Sequence, residues 1–186
     1  MNSSPSRNTI DPDTSRLVLV DVQERLAPAM SEPASLIRNC TILLTAAREL
    51  GIPVTISEQY PRGLGPTLPE LAGLTESHPL PKLDFSCLRN QALRDELGSR
   101  PDDALIIAGI EAHVCVLQTA LEAVGSGHAV YVVADAVDSR REENRDRALR
   151  RAERAGCVIV TTEMVVFEWL GSADAAAFRS LSKLVR

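Results

Sequence analysis

Aromatic residues are scarce: one Trp, two Tyr and three Phe in 186 residues, so Val, Leu, Ile and Ala must build the core. Positive charge is not in excess either, 20 Lys+Arg standing against 25 Asp+Glu for a net charge of −5. No basic field exists to hold nucleic acid or an anionic lipid surface, and neither partner is expected. No uncharged apolar run approaches the ~18 residues that cross a bilayer. The opening M-N-S-S-P-S-R-N has no apolar signal segment. The four cysteines, Cys40, Cys87, Cys115 and Cys157, form no C-x-x-C pair and lie in or beside apolar stretches, which argues against a disulfide framework or a zinc cluster. A cytoplasmic, reducing setting is the expectation. His78, His113 and His128 lack H-x-x-x-H spacing, and G-x-x-x-x-G-K-[ST] is missing. Gly125 and Gly127 stand between a helix and a strand, the reverse of a dinucleotide fingerprint. Neither a metal nor another cofactor is expected.

What is present is a globular composition, 45% hydrophobic and 24% charged, of a length that suits one domain. Residues 1–15 are rich in Ser, Asn, Asp and Pro without periodicity and read as a flexible arm, leaving 16–186 as the domain. The run L-V-L-V ending at Asp21 is a short strand buried on both faces. Ser35 then precedes Leu36, Cys40, Leu43, Ala47 and Leu50 at helical spacing, with Gly51 and Pro53 as the stop. Val54 to Ser57 forms a second strand. Tyr60 to Pro81 is a long excursion with several Pro and Gly residues, and an extended piece around Leu80 to Phe85 precedes a helix near Arg89 to Leu97. Ala104 to Ile110 is a buried strand leading straight into a helical pattern through Cys115. Ala129 to Ala134 is the next strand, Ser139 can cap a charged helix to Ala155, and Val158 to Val160 is the last strand before a helical C-terminal region.

Strands that alternate with helices imply right-handed crossovers. The predicted fold is an α/β doubly wound three-layer sandwich with a mostly parallel, roughly six-stranded sheet and its site at the carboxyl ends of the strands. Three residues occupy such positions. Asp21 ends the first strand after four apolar residues, where partial desolvation can make it a base or where it can simply cap a turn. Cys115 stands at a strand-to-helix junction, where a helix dipole favours thiolate, or where it serves as a small core residue. Lys82 lies between Pro81 and Leu83 in an extended apolar segment and can steady a developing anion. His113, two residues before Cys115, points away from it on a helix and ranks below Asp21 as its base.

R-L-V-L-V-D-V-Q around Asp21, P-K-L-D-F-S around Lys82 and A-G-I-E-A-H-V-C-V around Cys115 together resemble the isochorismatase-like cysteine hydrolases, over about residues 16–160. S-E-Q-Y-P-R-G-L-G-P-T and G-I-E-A-H-V-C are similar to the branch of isochorismatase domain-containing proteins. The resemblance implies an Asp21-Lys82-Cys115 triad, a non-proline cis peptide between Ile110 and Glu111, and an oxyanion hole from the Glu111 and Cys115 amides. It also implies hydrolysis of a small amide or related acyl compound through an acyl-enzyme on Cys115, and a homo-oligomer. The apolar M-V-V-F-E-W-L stretch is candidate interface or core. Where nicotinamidases of the superfamily carry a D-x-H metal motif, this chain has Glu58, Gln59 and Tyr60. True isochorismatases lack the cysteine, so its presence favours thiol chemistry over vinyl-ether cleavage. Gln23, Leu26, Tyr60, Phe85 and His113 lie near the motifs and are candidates to line a pocket for a small-molecule substrate. The rival reading is a catalytically weak scaffold or binding protein that keeps the fold.

Overall fold

Alternate residues of the buried strands face opposite sides of one sheet, and this period of two divides the core. A computed structural model describes residues 9–98, 100 and 102–185. Its six strands, β1 (Ser15–Val20), β2 (Val54–Gln59), β3 (Leu80–Lys82), β4 (Ala104–Ile110), β5 (Val130–Asp138) and β6 (Val158–Val160), form one sheet in the order β3-β2-β1-β4-β5-β6. Every pairing is parallel. Leu17, Leu19, Ile56, Ile106, Ala108 and Val133 belong to the core on one face, beneath α1 (Pro33–Leu50) and α7 (Thr162–Leu170). Val18, Val20, Leu105, Ile107, Val130 and Val132 belong to the other, beneath α4 (Gln91–Gly98), α5 (Leu117–Gly125) and α6 (Glu142–Arg154). The doubly wound three-layer fold is the one read from the sequence.

Winding runs outward from β1 through β2 to β3 and outward again from β4 through β5 to β6. The order therefore reverses between β1 and β4, which opens a crevice at their carboxyl ends. These two strands approach very closely there. Gly109 has φ +116°, and a Cβ on it would fall 2.1 Å from the Val20 carbonyl oxygen, so only glycine fits.

Three boundaries differ from the sequence reading. The arm assigned to residues 1–15 does not extend over its last part: residues 1–8 lie outside those described, whereas Ile10 is buried, its N–H donates to Glu168 Oε2 at 2.7 Å, and Ser15 already pairs with Ala104. Polar composition concealed this because the packing is provided by the distant α7. The 60–81 excursion contains two short helices, α2 (Pro61–Leu64) and α3 (Pro69–Ala72). It is tied back by Thr67 N–H and Oγ1 on Glu58 Oε1 at 2.6 and 2.8 Å. Ser139 does not cap α6, whose N-cap is Arg141, because β5 runs on to Asp138 and keeps Ser139 buried. In the C-terminal M-V-V-F-E-W-L stretch, Val165, Val166, Trp169 and Leu170 complete the core, while Met164 and Phe167 stay exposed. A last short helix, α8 (Phe178–Leu181), follows. No helix among the described residues is long and apolar enough to cross a membrane.

Candidate active site

Asp21 follows the last residue of β1 in a left-handed conformation, φ +53°, which Asp tolerates better than most residues. Its N–H donates to the Ser57 carbonyl at 3.1 Å and its Oδ1 accepts from Ser57 Oγ at 2.7 Å. Lys82 ends β3 two strands away, and its Nζ donates to Asp21 Oδ2 at 2.6 Å. Both side chains are fully enclosed. Two charges survive such burial only by facing each other and satisfying their remaining polar atoms. The second acceptor of the ammonium is Gln59 Oε1, at 2.7 Å.

Cys115 is brought against this pair from the far side of the crevice. It lies not in the first turn of an α-helix but in a π-helical turn, Ala112–Val116, that leads into α5. Its Sγ donates to Gln59 Oε1 across 4.0 Å, and the negative charge of Asp21 acts on it as well. The sequence reading expected a helix dipole to favour thiolate here. The structure reverses that expectation: burial, then the neighbouring negative charge of Asp21, push the thiol well above its ordinary range, and the Lys82 ammonium opposes this only in part. These influences favour the protonated sulfur at rest. Lys82 behaves conversely. Burial pulls its pKa down, but the charge of Asp21 and the hydrogen bond to it, with a contribution from the neighbouring Cys115 side chain, outweigh burial and leave it raised and ammonium in form.

The peptide between Ile110 and Glu111, immediately before the π-turn, is cis. Glu111 is buried, and its Oε2 accepts from Arg140 N–H at 3.2 Å and Nε at 3.0 Å. His113 turns away from the sulfur, its Nδ1 lying 2.9 Å from Ser139 Oγ.

The five pocket candidates separate. Tyr60 and Phe85 are exposed, 51% and 52%, and flank the residues that hold Lys82. Gln23 is no pocket wall: it is fully buried, with Nε2 donating to the carbonyls of Gln59 and Gly65 at 3.0 and 2.7 Å. Leu26 packs against the core on the α1 face, and His113 is half-buried. Sequence reasoning missed Ser57 and Gln59. They are polar residues at i and i+2 at the end of β2, hence on one face, and that alternation was the available signal. It also missed Cys87, fully buried, with its N–H on Thr119 Oγ1 at 3.0 Å, and charge-coupled to Asp21 and Lys82. Among the described residues no group of three His, Cys, Asp or Glu side chains could hold a metal.

Residues 15–164 match the isochorismatase domain. The chain belongs to this family. It is 37% identical over 183 residues to isochorismatase domain-containing protein 2 of Homo sapiens, covering 98% of this chain and 88% of that one. A structure of MAR1 ribonuclease from Caenorhabditis elegans is 36% identical with a TM-score of 0.89, over 95% of this chain and 92% of that one. The YcaC gene product of Escherichia coli, described as an octameric hydrolase of unknown specificity, is 26% identical with a TM-score of 0.90, over 98% and 92%. Membership of this isochorismatase-like family makes the chain an α/β hydrolase of isochorismatase type.

Proposed function

We propose that the protein is a cysteine hydrolase that cleaves a small amide or related acyl compound, with Asp21, Lys82 and Cys115 as its catalytic residues. One observation carries the reading: the Cys115 sulfur lies 4.0 Å from Gln59 Oε1, the same oxygen that accepts from the buried Lys82 ammonium, which is itself paired with the buried Asp21 carboxylate. In the proposed cycle Asp21 takes the thiol proton as Sγ bonds to the substrate carbonyl carbon. The oxygen gains the displaced electron pair and is held by the Glu111 and Cys115 N–H groups. Collapse breaks the C–N bond, Asp21 returns the proton to the leaving amine, and a thioester remains. Water then attacks the thioester, Asp21 accepts its proton, and release of the acid restores the thiol. Lys82 keeps the site from accumulating net negative charge throughout.

Exposed Tyr60 and Phe85, with Leu83 at 73% exposure, favour a flat, partly apolar substrate. A cytoplasmic homo-oligomer is part of the same proposal, supported by the octameric Escherichia coli neighbour. The name of the Caenorhabditis elegans relative raises cleavage of RNA. The cations at this site favour it less, because Lys82 and Arg140 are each paired with a carboxylate, Asp21 and Glu111. The test is a panel of small aliphatic and aromatic amides with an RNA oligonucleotide alongside, read as amine or ammonia release and as an acyl adduct on the Cys115 peptide by mass spectrometry. The expected result is turnover with an adduct that Cys115→Ala abolishes without loss of fold. Equal turnover by that variant would sink the proposal, and the absence of any adduct across the panel would favour a binding protein.

A further inference from the structure

Lys82 carries three N–H donors, and Asp21 Oδ2 occupies one at 2.6 Å. A primary ammonium held at a single point can spin about its Cε–Nζ bond, so one ion pair does not decide where the other two donors aim. Gln59 Oε1, at 2.7 Å, is the second acceptor. With two donors committed to fixed acceptors, the direction of the third is determined. The same oxygen lies 4.0 Å from Cys115 Sγ, so the ammonium and the sulfur meet around it.

The amide of Gln59 is itself immobilised. Its Nε2 donates to the Leu83 carbonyl at 2.8 Å, which forces Oε1 toward Lys82, since the flipped amide would set N–H donors against an ammonium. Its main chain is clamped on both sides by one buried side chain: Gln59 N–H donates to Gln23 Oε1 at 2.8 Å, and the Gln59 carbonyl accepts from Gln23 Nε2 at 3.0 Å. Gln23 is anchored in turn on the Gly65 carbonyl at 2.7 Å. A side chain that served only to fill space at the end of β2 would not need both ends of its amide fixed, by Leu83 and Lys82, on a main chain that is itself clamped.

We propose that Gln59 is a positioning residue: its amide oxygen locks the Lys82 ammonium so that the remaining N–H faces Cys115 Sγ and stabilises the sulfur as it loses its proton, with Gln23 as the clamp that holds Gln59 in register. This rests on the reading of Cys115 as nucleophile. It adds to that reading the residue that converts a buried ion pair into a directed one. The charged and titratable groups around the sulfur are Asp21 from the end of β1, Lys82 from β3 and Cys87 from the turn after β3. An uncharged replacement of Gln59 removes none of these groups and touches only Lys82 among them, through the lost acceptor.

The experiment is the rate of iodoacetamide alkylation of each cysteine as a function of pH, resolved by peptide mass spectrometry, in the full chain and in Gln59→Met and Gln59→Glu. In the wild type Cys115 is expected to react ahead of Cys40, Cys87 and Cys157, because Asp21 can take its proton as the sulfur is alkylated. Gln59→Met keeps length but removes the acceptor; its Cys115 profile is expected to move up by about one pH unit, with a roughly tenfold lower rate at neutral pH, while the other three thiols are unmoved. Gln59→Glu keeps an acceptor but adds charge beside the sulfur and is expected to move the profile further in the same direction. Should Gln59→Met not fold, Gln59→Leu, likewise uncharged and without an acceptor, takes its place. A Cys115 profile coincident with the wild type in the folded variants overturns the role of Gln59. A wild type in which Cys115 shows no selective labelling overturns the nucleophile itself, which separates the two failures.

Discussion

Lys82 and Asp21 face each other at 2.6 Å with neither side chain open to solvent, and neither residue would be tolerated there alone. Lys82→Met is expected to leave an unpaired buried carboxylate and cost about 3–5 kcal/mol of stability. Asp21→Leu should cost a similar amount by stranding the ammonium. The double replacement is expected to be milder than either single change, although Ser57 Oγ and Gln59 Oε1 lose their partners in it. Urea unfolding of the four proteins as a double-mutant cycle measures this. A double variant as damaged as the sum of the singles would mean that the pair is not coupled.

Stability should decline on the alkaline side, and buried thiols are one cause. Burial, with a smaller contribution from Asp135, pushes Cys40 from an ordinary 9.0 up to about 12. Above pH 9 the unfolded chain has released that proton while the folded chain still holds it, so the unfolded state binds fewer protons and unfolding becomes easier. The stability present below pH 9 is lost between pH 9 and about 12, at up to about 1.4 kcal/mol per pH unit for one thiol. Cys40→Ala, although less stable throughout for lack of packing, should show a shallower decline in that window. Parallel curves for the two proteins would contradict the assignment.

Gly109→Ala should prevent formation of the native sheet, because its Cβ would meet the Val20 carbonyl oxygen at 2.1 Å. Gly51→Ala is a contrasting case. Gly51 caps α1 with φ +71° but has nothing within 4 Å of the added carbon, so the cost is only that of a left-handed alanine, about 1 kcal/mol. Circular dichroism melting of both separates crowding from backbone preference.

Phe85→Ser tests the mouth of the site. The residue is half exposed, so its removal is expected to leave the melting temperature within a degree or two, by the usual small effect of surface changes. If it meets the substrate, KM for an aromatic amide rises several-fold with kcat unchanged. An unchanged KM would remove it from the binding surface.

The architecture was legible because buried parallel strands write themselves as short apolar runs, and L-V-L-V and A-L-I-I-A-G-I are of that kind. Gly51 likewise marks the end of α1 as read. The positions of Asp21, Lys82 and Cys115 at strand ends followed from the same pattern, and the structure places the three together. The state of the sulfur did not follow. A helix-start argument considers only the backbone near Cys115, whereas burial and Asp21 arrive from elsewhere in the chain. Gln23 and Gln59 were misread or missed for a similar reason: a glutamine's role lies in which partners its amide reaches, and the partners that hold these two amides lie 23 to 42 residues away. Ser139 looked like a cap because its type suits one, but β5 ran on past the expected end.

The reversal of winding between β1 and β4 has a consequence for how the protein comes to life as a catalyst. Asp21 leaves β1, Gln59 and Lys82 close the next two strands, and Cys115 arrives only after β4, so no contiguous fragment on either side of the crevice contains the whole set. In a nascent or half-assembled chain the sulfur is an ordinary thiol, and only the docking of the central pair of strands encloses it and sets the Asp21–Lys82 pair beside it. Labelling of that one thiol during refolding would therefore time the joining of the two halves.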